Sequence, residues 1–391
     1  LLLPYLQWQL VHYSAPLLSH AFVAERFAFF GKVLTGQERN VPRYQQCISF
    51  ADQTLGELLG AAYVRVAFSP EAESSVEEMV QALEDAMKSD IQSTSWMDPT
   101  TKSRALQKLS MLYNMVGYPE TPDNYTTVQV SENDFFGNVL SGSQYAFKNM
   151  IASLQQPTDR TKWEMTADTV NAYYDPTLNE IVLPAGILQP PFFSMSYPLS
   201  MVFGGIGVII GHEITHGFDN EGSDYDGTGR LVDWWLPQTR ANFQERVDCV
   251  IKQYDQFEIL PGLYVNGRLT QGENVADMGG VKNSFHAYLN ISGSTPSTKT
   301  VPVCKPDSSN PTSCLTDQQL FFVAYAQGWC AKETTNEERI LQATDPHSPP
   351  QFRVQGPLQN FPTFAQTFEC PVGSTYNPTS RCEVKFTETP Q

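Results

Sequence analysis

The chain has 391 residues, 41% of them hydrophobic and 12% aromatic, with a formal net charge of −17. That length and apolar content supply one large core or two ordinary ones and exclude a disordered chain. The negative charge opposes a nucleic-acid backbone, so no nucleic-acid partner is expected.

No run of about 18 apolar residues free of charge occurs, so no membrane span is expected. The opening LLLPYLQWQL lacks a basic leader and is interrupted by Pro4, Tyr5, Gln7 and Gln9; it reads as a core helix, not a secretory signal. Residues 1 to 65 read as helical, anchored by Tyr5, Trp8, Val11, Leu17, Phe22, Phe27 and Phe30. In SSVEEMVQALEDAMKSDI, Val76, Met79, Val80, Leu83 and Met87 keep a 3.6 period, and Ser75 with Glu78 suits a capping box. In DPTTKSRALQKLSML, Asp98 is the expected N-cap and Pro99 the first helical residue.

The character then shifts. NYTTVQV reads as a short strand, and NAYYDPTLNEIVLPAG as a hairpin turned at Asp175-Pro176. Residues 200 to 218 form a glycine-rich apolar helix, NVADMGGVKNSFHAYLN a second helix and DQQLFFVAYAQGWCAKE a third. Between the last two, the Pro/Ser/Thr-rich stretch from Ser292 to Cys314 reads as a surface loop closed by a Cys304–Cys314 disulfide. No internal repeat is found. The fold class expected is α+β, mainly helical, with a small sheet.

Seven cysteines, at 47, 249, 304, 314, 330, 370 and 382, form no CxxC or CxxH zinc pattern, so structural disulfides are the better reading. The odd count leaves at least one free or paired outside the chain. Two sequons, Asn124-Tyr-Thr and Asn290-Ile-Ser, are compatible with glycosylation in a secreted protein.

The chemistry concentrates in GVIIGHEITHGFD. Positions i and i+4 share a helix face, so His212 and His216 can reach one zinc ion, while Glu213 leans over the open position where water would bind. A third ligand is offered by GENVADMGG, where Glu273 and Asp277 again lie four apart. Glu273 is assigned to the metal; Asp277 and Asp219 are assigned to the far nitrogens of the histidines. The competing reading of Glu273 is the third residue of a Thr270 capping box. Gly279 and Gly280 inside a helix suggest close packing, and packing against the helix of Gly204, Gly205, Gly207 and Gly211 would bring Glu273 to the metal. DNEGSDYDGTGR matches only part of a calcium-loop pattern and reads as the loop after the zinc helix.

NAYYDPTLNEIVLPAGILQPPFF, GGIGVIIGHEITHGFD, LVDWWLPQTRANF, VNGRLTQGENVADMGG, FFVAYAQGWC and DPHSPPQFRVQGPLQNFPTFAQTFEC recur in the order that resembles the neprilysin and endothelin-converting-enzyme family of zinc peptidases. The resemblance covers about residue 40 to the C-terminus. It implies a thermolysin-like catalytic lobe over 56–391, preceded by the helical tail of a second lobe over 1–55. Asn171 and the backbone of Ala172 would hold an extended peptide, His347 would donate to the developing oxyanion, and Arg353 would bind a peptide carbonyl or C-terminal carboxylate. Ile209, Ile210 and Trp329 would line the pocket for the residue after the cut.

By the family pattern Cys249 pairs with Cys382, and the partners of Cys47, Cys330 and Cys370 would lie in an upstream lobe absent from these residues, carried by missing sequence or a separate, disulfide-linked chain. The implied function is a zinc-dependent endopeptidase of the extracellular space or secretory lumen, secreted or anchored. It would cut small peptides on the amino side of apolar residues, Glu213 activating the zinc-held water. The rival is a catalytically silent peptide-binding or structural member. An aminopeptidase of another zinc class is disfavoured because no GxMEN-type segment is present.

Overall fold

The computed structural model describes residues 2–294 and 315–383. Helices α1 (Leu2–Ser14), α2 (His20–Arg26, running on as a π-helix over Phe27–Leu34), α3 (Arg43–Ala67), α4 (Pro70–Ser93) and α5 (Pro99–Leu109) lead to strand β1 (Tyr113–Gly117). Helix α6 (Phe135–Ser153) precedes the hairpin of β2 (Tyr173–Asp175) and β3 (Glu180–Pro184). Helix α7 (Leu199–Val202) continues through a π-turn over Phe203–Gly207 into α8 (Val208–His216), followed by α9 (Pro237–Tyr254), β4 (Glu258–Leu260) and β5 (Leu263–Tyr264). The described chain closes with α10 (Gln271–Ser292), α11 (Asp317–Gly328), α12 (Thr335–Thr344), α13 (Pro350–Asn360) and α14 (Pro362–Thr367).

Two compact units emerge. The first comprises Leu1–Tyr63, Pro119–Ala167 and Lys332–Ala343. Its helices approach through small residues: a Cβ on Gly142 would meet Thr54 Cβ at 2.5 Å, and one on Gly56 would meet Thr166 Cγ2 at 2.3 Å. The expectation of a core helix at the start is corrected. Leu2, Leu3, Tyr5, Leu6, Trp8, Leu10 and Val11 are all half or more exposed, because α1 buries only its last residue, Ser14. Phe22 is exposed as well, while Leu17, Phe27 and Phe30 are partly buried. NYTTVQV is not a strand: Asn124 Oδ1 accepts from Thr126 N–H and turns the chain, and no strand pairs with the segment among the described residues.

The second unit comprises Val64–Tyr118, Asp168–Ala331 and Thr344–Gln391. All five periodic residues of α4 are buried, but its N-cap is Ser69, whose hydroxyl accepts from Ala72 N–H ahead of Pro70. Ser75 and Glu78 therefore sit inside the helix and form no capping box. Asp98 caps α5 as expected, accepting from Thr100 and Thr101 N–H. The sheet has the order β1-β3-β2, with β1 and β3 parallel and β2 antiparallel on the outer edge. Central β3 is buried throughout, which explains its unbroken Ile-Val-Leu run. Phe285, Phe321, Phe322 and Phe361 pack in the core, edge-to-face at 5.1–6.0 Å apart from the stacked Phe285–Phe322 pair.

Cys249 and Cys382 form a disulfide. Cys47, Cys330 and Cys370 carry free thiols, and the expected Cys304–Cys314 pair lies outside the described residues.

Candidate metal centre

Helices α8 and α10 touch backbone to backbone. A Cβ on Gly280 would stand 2.6 Å from Val208 O and 2.8 Å from His212 N, and one on Gly279 would stand 2.4 Å from Thr215 Oγ1. Only glycine permits that approach. The contact sets the first turn of α10 beside the histidine face of α8. His212 Nε2 lies 2.9 Å from His216 Nε2, and Glu273 Oε2 lies 3.2 Å from the first and 3.4 Å from the second. Thr270 precedes α10 but its side chain makes no capping bond, so the competing reading of Glu273 as a capping-box residue is not realised.

The outer nitrogens of both imidazoles face carboxylates. His216 Nδ1 donates to Asp219 Oδ2 at 2.6 Å. His212 Nδ1 lies 2.9 Å from Asp277 Oδ1, a charge-assisted contact off the line of a straight hydrogen bond. With the proton held at Nδ1, each Nε2 presents a lone pair to the same point. Glu273 Oε2 is buried there without a hydrogen-bond partner. Three lone-pair donors converging at such separations repel one another unless a cation lies among them. Zinc with 2.0–2.1 Å bonds would space tetrahedral ligands by about 3.3 Å, so this donor set fits it.

The charges respond accordingly. Burial, and for His212 the neighbouring His216, pulls the imidazole pKa values down, but Asp277, Asp219 and Glu273 outweigh it and raise both. Burial opposes ionisation of Glu273, yet the three histidines around it hold its carboxyl well below the usual range. Glu213, one residue on from His212 and only 5% exposed, moves the other way. Burial, with Glu273 adding to it, raises its pKa against the pull of the two histidines, which makes it the more basic carboxylate.

His347 joins the cluster, its Nε2 3.2 Å from Glu273 Oε2 and its Nδ1 2.7 Å from Asp345 Oδ1. Burial depresses its pKa, and Glu273 and Asp345 more than restore it. Arg353 is buried and stacked 4.0 Å over Trp329. Two of its nitrogens are engaged by Asp277, with Nε donating at 2.8 Å and Nη2 at 2.7 Å, while Nη1 makes no hydrogen bond among the described residues. Asn171 is exposed and Ala172 is buried where the chain enters edge strand β2. Ile209 and Trp329 keep exposed surface, whereas Ile210 is 0% exposed and offers none to a ligand. Both sequon asparagines, Asn124 and Asn290, are exposed.

Sequence reasoning missed Asp345, which was visible two residues before His347. It also missed the chain in which Ser348 Oγ donates to Asn274 Oδ1 (2.7 Å) and Asn274 Nδ2 to Thr270 Oγ1 (2.8 Å). That buried chain ties the His347 loop to the start of α10, and no local pattern announces it. The segment Leu199–His216 is long and apolar enough by composition to cross a membrane, yet it is 78% buried as the core helix bearing the histidines.

Peptidase family M13 matches over residues 171–384, and a second match to the same family covers residues 1–119. The chain is 39% identical over 389 residues to an endothelin-converting enzyme homolog of Locusta migratoria, covering 97% of this chain and 52% of that protein. It is 40% identical over 390 residues to neprilysin-3 of Drosophila melanogaster, covering 97% and 48%. Among solved structures, the inhibitor complex of the Mycobacterium tuberculosis zinc metalloprotease ZMP1 superposes with a TM-score of 0.88 at 38% identity, over 96% of this chain and 56% of that one. The chain thus spans about half the length of the curated relatives it matches. With a His-His-Glu cluster at the heart of the matched region, the chain belongs to peptidase family M13, the family of its neprilysin and endothelin-converting-enzyme relatives.

Proposed function

We propose that this chain is the catalytic half of a zinc-dependent endopeptidase that hydrolyses small peptides on the amino side of apolar residues. The observation that carries the reading is the convergence of His212, His216 and Glu273 within 4.8 Å beside the buried, more basic Glu213. Zinc bound there would polarise a peptide carbonyl and acidify a water. Glu213 would take a proton from an attacking water as its oxygen bonds to the carbonyl carbon, and would return that proton to the leaving amine as the C–N bond breaks. His347, held by Asp345 and biased toward its cationic form, donates a hydrogen bond to the oxyanion. Extended substrate lies along the outer edge of β2, where Asn171 is exposed, with Arg353 Nη1 meeting a peptide carbonyl or carboxylate and Ile209 and Trp329 bounding the apolar pocket.

The natural partner is the other half of the same precursor, reached through Cys47, Cys330 and Cys370. Their free thiols and the exposed apolar side chains of α1 support this. An extracellular or secretory-lumen site, with glycans at Asn124 and Asn290, agrees with the Cys249–Cys382 disulfide. The second reading, a silent peptide-binding form, draws on the half-length coverage of the relatives.

A quenched fluorescent peptide assay with and without chelator, combined with zinc stoichiometry, separates the two. Glu213→Gln should keep one zinc per chain and lose turnover by about three orders of magnitude or more. Near-wild-type turnover in that variant rejects the mechanism; zinc-loaded wild-type protein with no turnover favours the silent form.

A further inference from the structure

Lys108, on α5, is 2% exposed, an unusual place for an ammonium group. Its Nζ donates to the carbonyls of Gly222 (2.6 Å) and Tyr225 (2.8 Å). The rings of Tyr174, Phe218 and Trp234 surround it, their centroids 5.7, 5.7 and 5.9 Å away. Asp219, Asp224 and Asp226 supply the nearby negative charge, against which burial pulls the ammonium pKa down to about 7.

The two carbonyls belong to the turn that follows α8. That turn doubles back so tightly that a Cβ on Gly222 would stand 1.8 Å from His216 O. On the inner side of the turn, the N–H groups of Glu221 and Gly222 both donate to Asp219 Oδ1 at 2.8 Å. The other oxygen of Asp219 receives His216 Nδ1 at 2.6 Å. A series of contacts therefore runs from Lys108 through the carbonyl and the N–H of Gly222 and through Asp219 to His216.

We propose that Lys108 is a positioning residue for the metal centre: its buried ammonium fixes the turn after α8, so that Asp219 holds His216 with Nε2 aimed at the ion. The proposal rests on the zinc reading of the site. Without the ammonium, the Gly222 carbonyl keeps only Tyr225 N–H (3.1 Å) and the Tyr225 carbonyl only Trp234 Nε1 (3.0 Å), and the one buried group that ties the two together is gone. The turn then relaxes, Asp219 loses its fixed aim, and the His216 ring is free to rotate about χ2.

The test is zinc affinity by competition with a chromophoric chelator, for wild type, Lys108→Met, Asp219→Asn and the double variant, with circular dichroism of each as a fold check. Outer partners of metal-bound histidines typically contribute about 10–100-fold to affinity, and each single variant should lose binding within that range. Because Lys108 acts through Asp219, the double variant should lose no more than Asp219→Asn alone. Its cobalt-substituted form should share that variant's altered visible spectrum. Wild-type affinity in folded Lys108→Met overturns the proposal while leaving the zinc reading intact, and so does a double variant whose losses multiply. Failure of the wild type to bind zinc removes both. If Lys108→Met does not fold, Lys108→Gln, uncharged and one atom too short to bring its amide to both carbonyls, carries the same comparison.

Discussion

Asp277 serves two partners at once: its Oδ1 lies 2.9 Å from His212 Nδ1 while both oxygens grip Arg353. Both partners of the Arg353 pair are largely buried, with side chains 11% and 2% exposed. Breaking such a pair from one side leaves an uncompensated charge in the interior, which costs about 3–5 kcal/mol, whereas removing both ends costs far less. Asp277→Ala should therefore destabilise the metal-free protein by about 3–5 kcal/mol in urea unfolding. An Asp277→Leu/Arg353→Met pair should recover most of that loss; equal losses in the single and double variants would show that the pair is not the source. At this scale the sequence was informative where spacing alone decides a shared face, as for His212 with His216 and for Glu273 with Asp277. It was silent where residues far apart meet. The spacing of Arg353 from Asp277 carries no periodic signal, and the free substrate fork expected of Arg353 is half occupied by that carboxylate.

Among elements, the α8–α10 contact does most to create the site, and Gly280 is where it meets backbone rather than side chain. A methyl there would stand 2.6 Å from Val208 O, a backbone atom unable to rotate aside. Gly280→Ala should force the helices apart despite the better helix propensity of alanine. We expect destabilisation of about 1–3 kcal/mol, the usual cost of overpacking, together with weaker zinc binding as Glu273 retreats. Unchanged zinc affinity would mean that the glycine contact does not set the ligand distance. A second element-level prediction concerns α5. Burial opposes ionisation of Asp98, but hydrogen bonds from Thr101 and Thr239 prevail and hold its pKa down to about 2, below the ordinary 3.8. The folded pKa being the lower one, the stabilisation is present above pH 3.8 and disappears as pH falls through about 2. Asparagine caps nearly as well, so Asp98→Asn isolates the charge. The melting-temperature gap between wild type and this variant should be constant above about pH 5 and close on acidification toward pH 2; a gap independent of pH would refute the assignment. The capping of α5 and the β2–β3 hairpin were legible because their signals are local. NYTTVQV misled because alternation describes a strand only when a neighbour completes the ladder. Ser75 misled because Ser69, six residues earlier and followed by Pro70, is the better stop for the incoming chain.

For the molecule as a whole, the main helical character and the small sheet were readable, because binary pattern decides them. The exposure of α1 was not, since an apolar segment carries no record of what packs against it. The Cys249–Cys382 link likewise came from family pattern, as cysteine counting alone leaves many pairings open. Its physical consequence is large because of what it encloses. The bond closes a loop with a sequence separation of 133 residues that contains α10 and the whole of the Glu273–His347–Arg353 region. Cys382 itself is 5% exposed and packs in one cluster with Val250, Tyr254, Phe257, Val265 and Phe352, two of which stack at 4.7 Å. The bond therefore limits the unfolded chain and pins the last described segment onto α9. Loop closure of this length is worth about 4–5 kcal/mol at most, and removal of a native disulfide typically costs about 2–5 kcal/mol. Cys249→Ser/Cys382→Ser should thus lower the urea midpoint substantially, and zinc affinity should fall with it, because α13 carries Arg353 against the Asp277 that steadies His212. If that variant unfolded at the wild-type midpoint, the apolar cluster alone would be holding α9, α13 and the closing segment together, and the disulfide would be dispensable to the site.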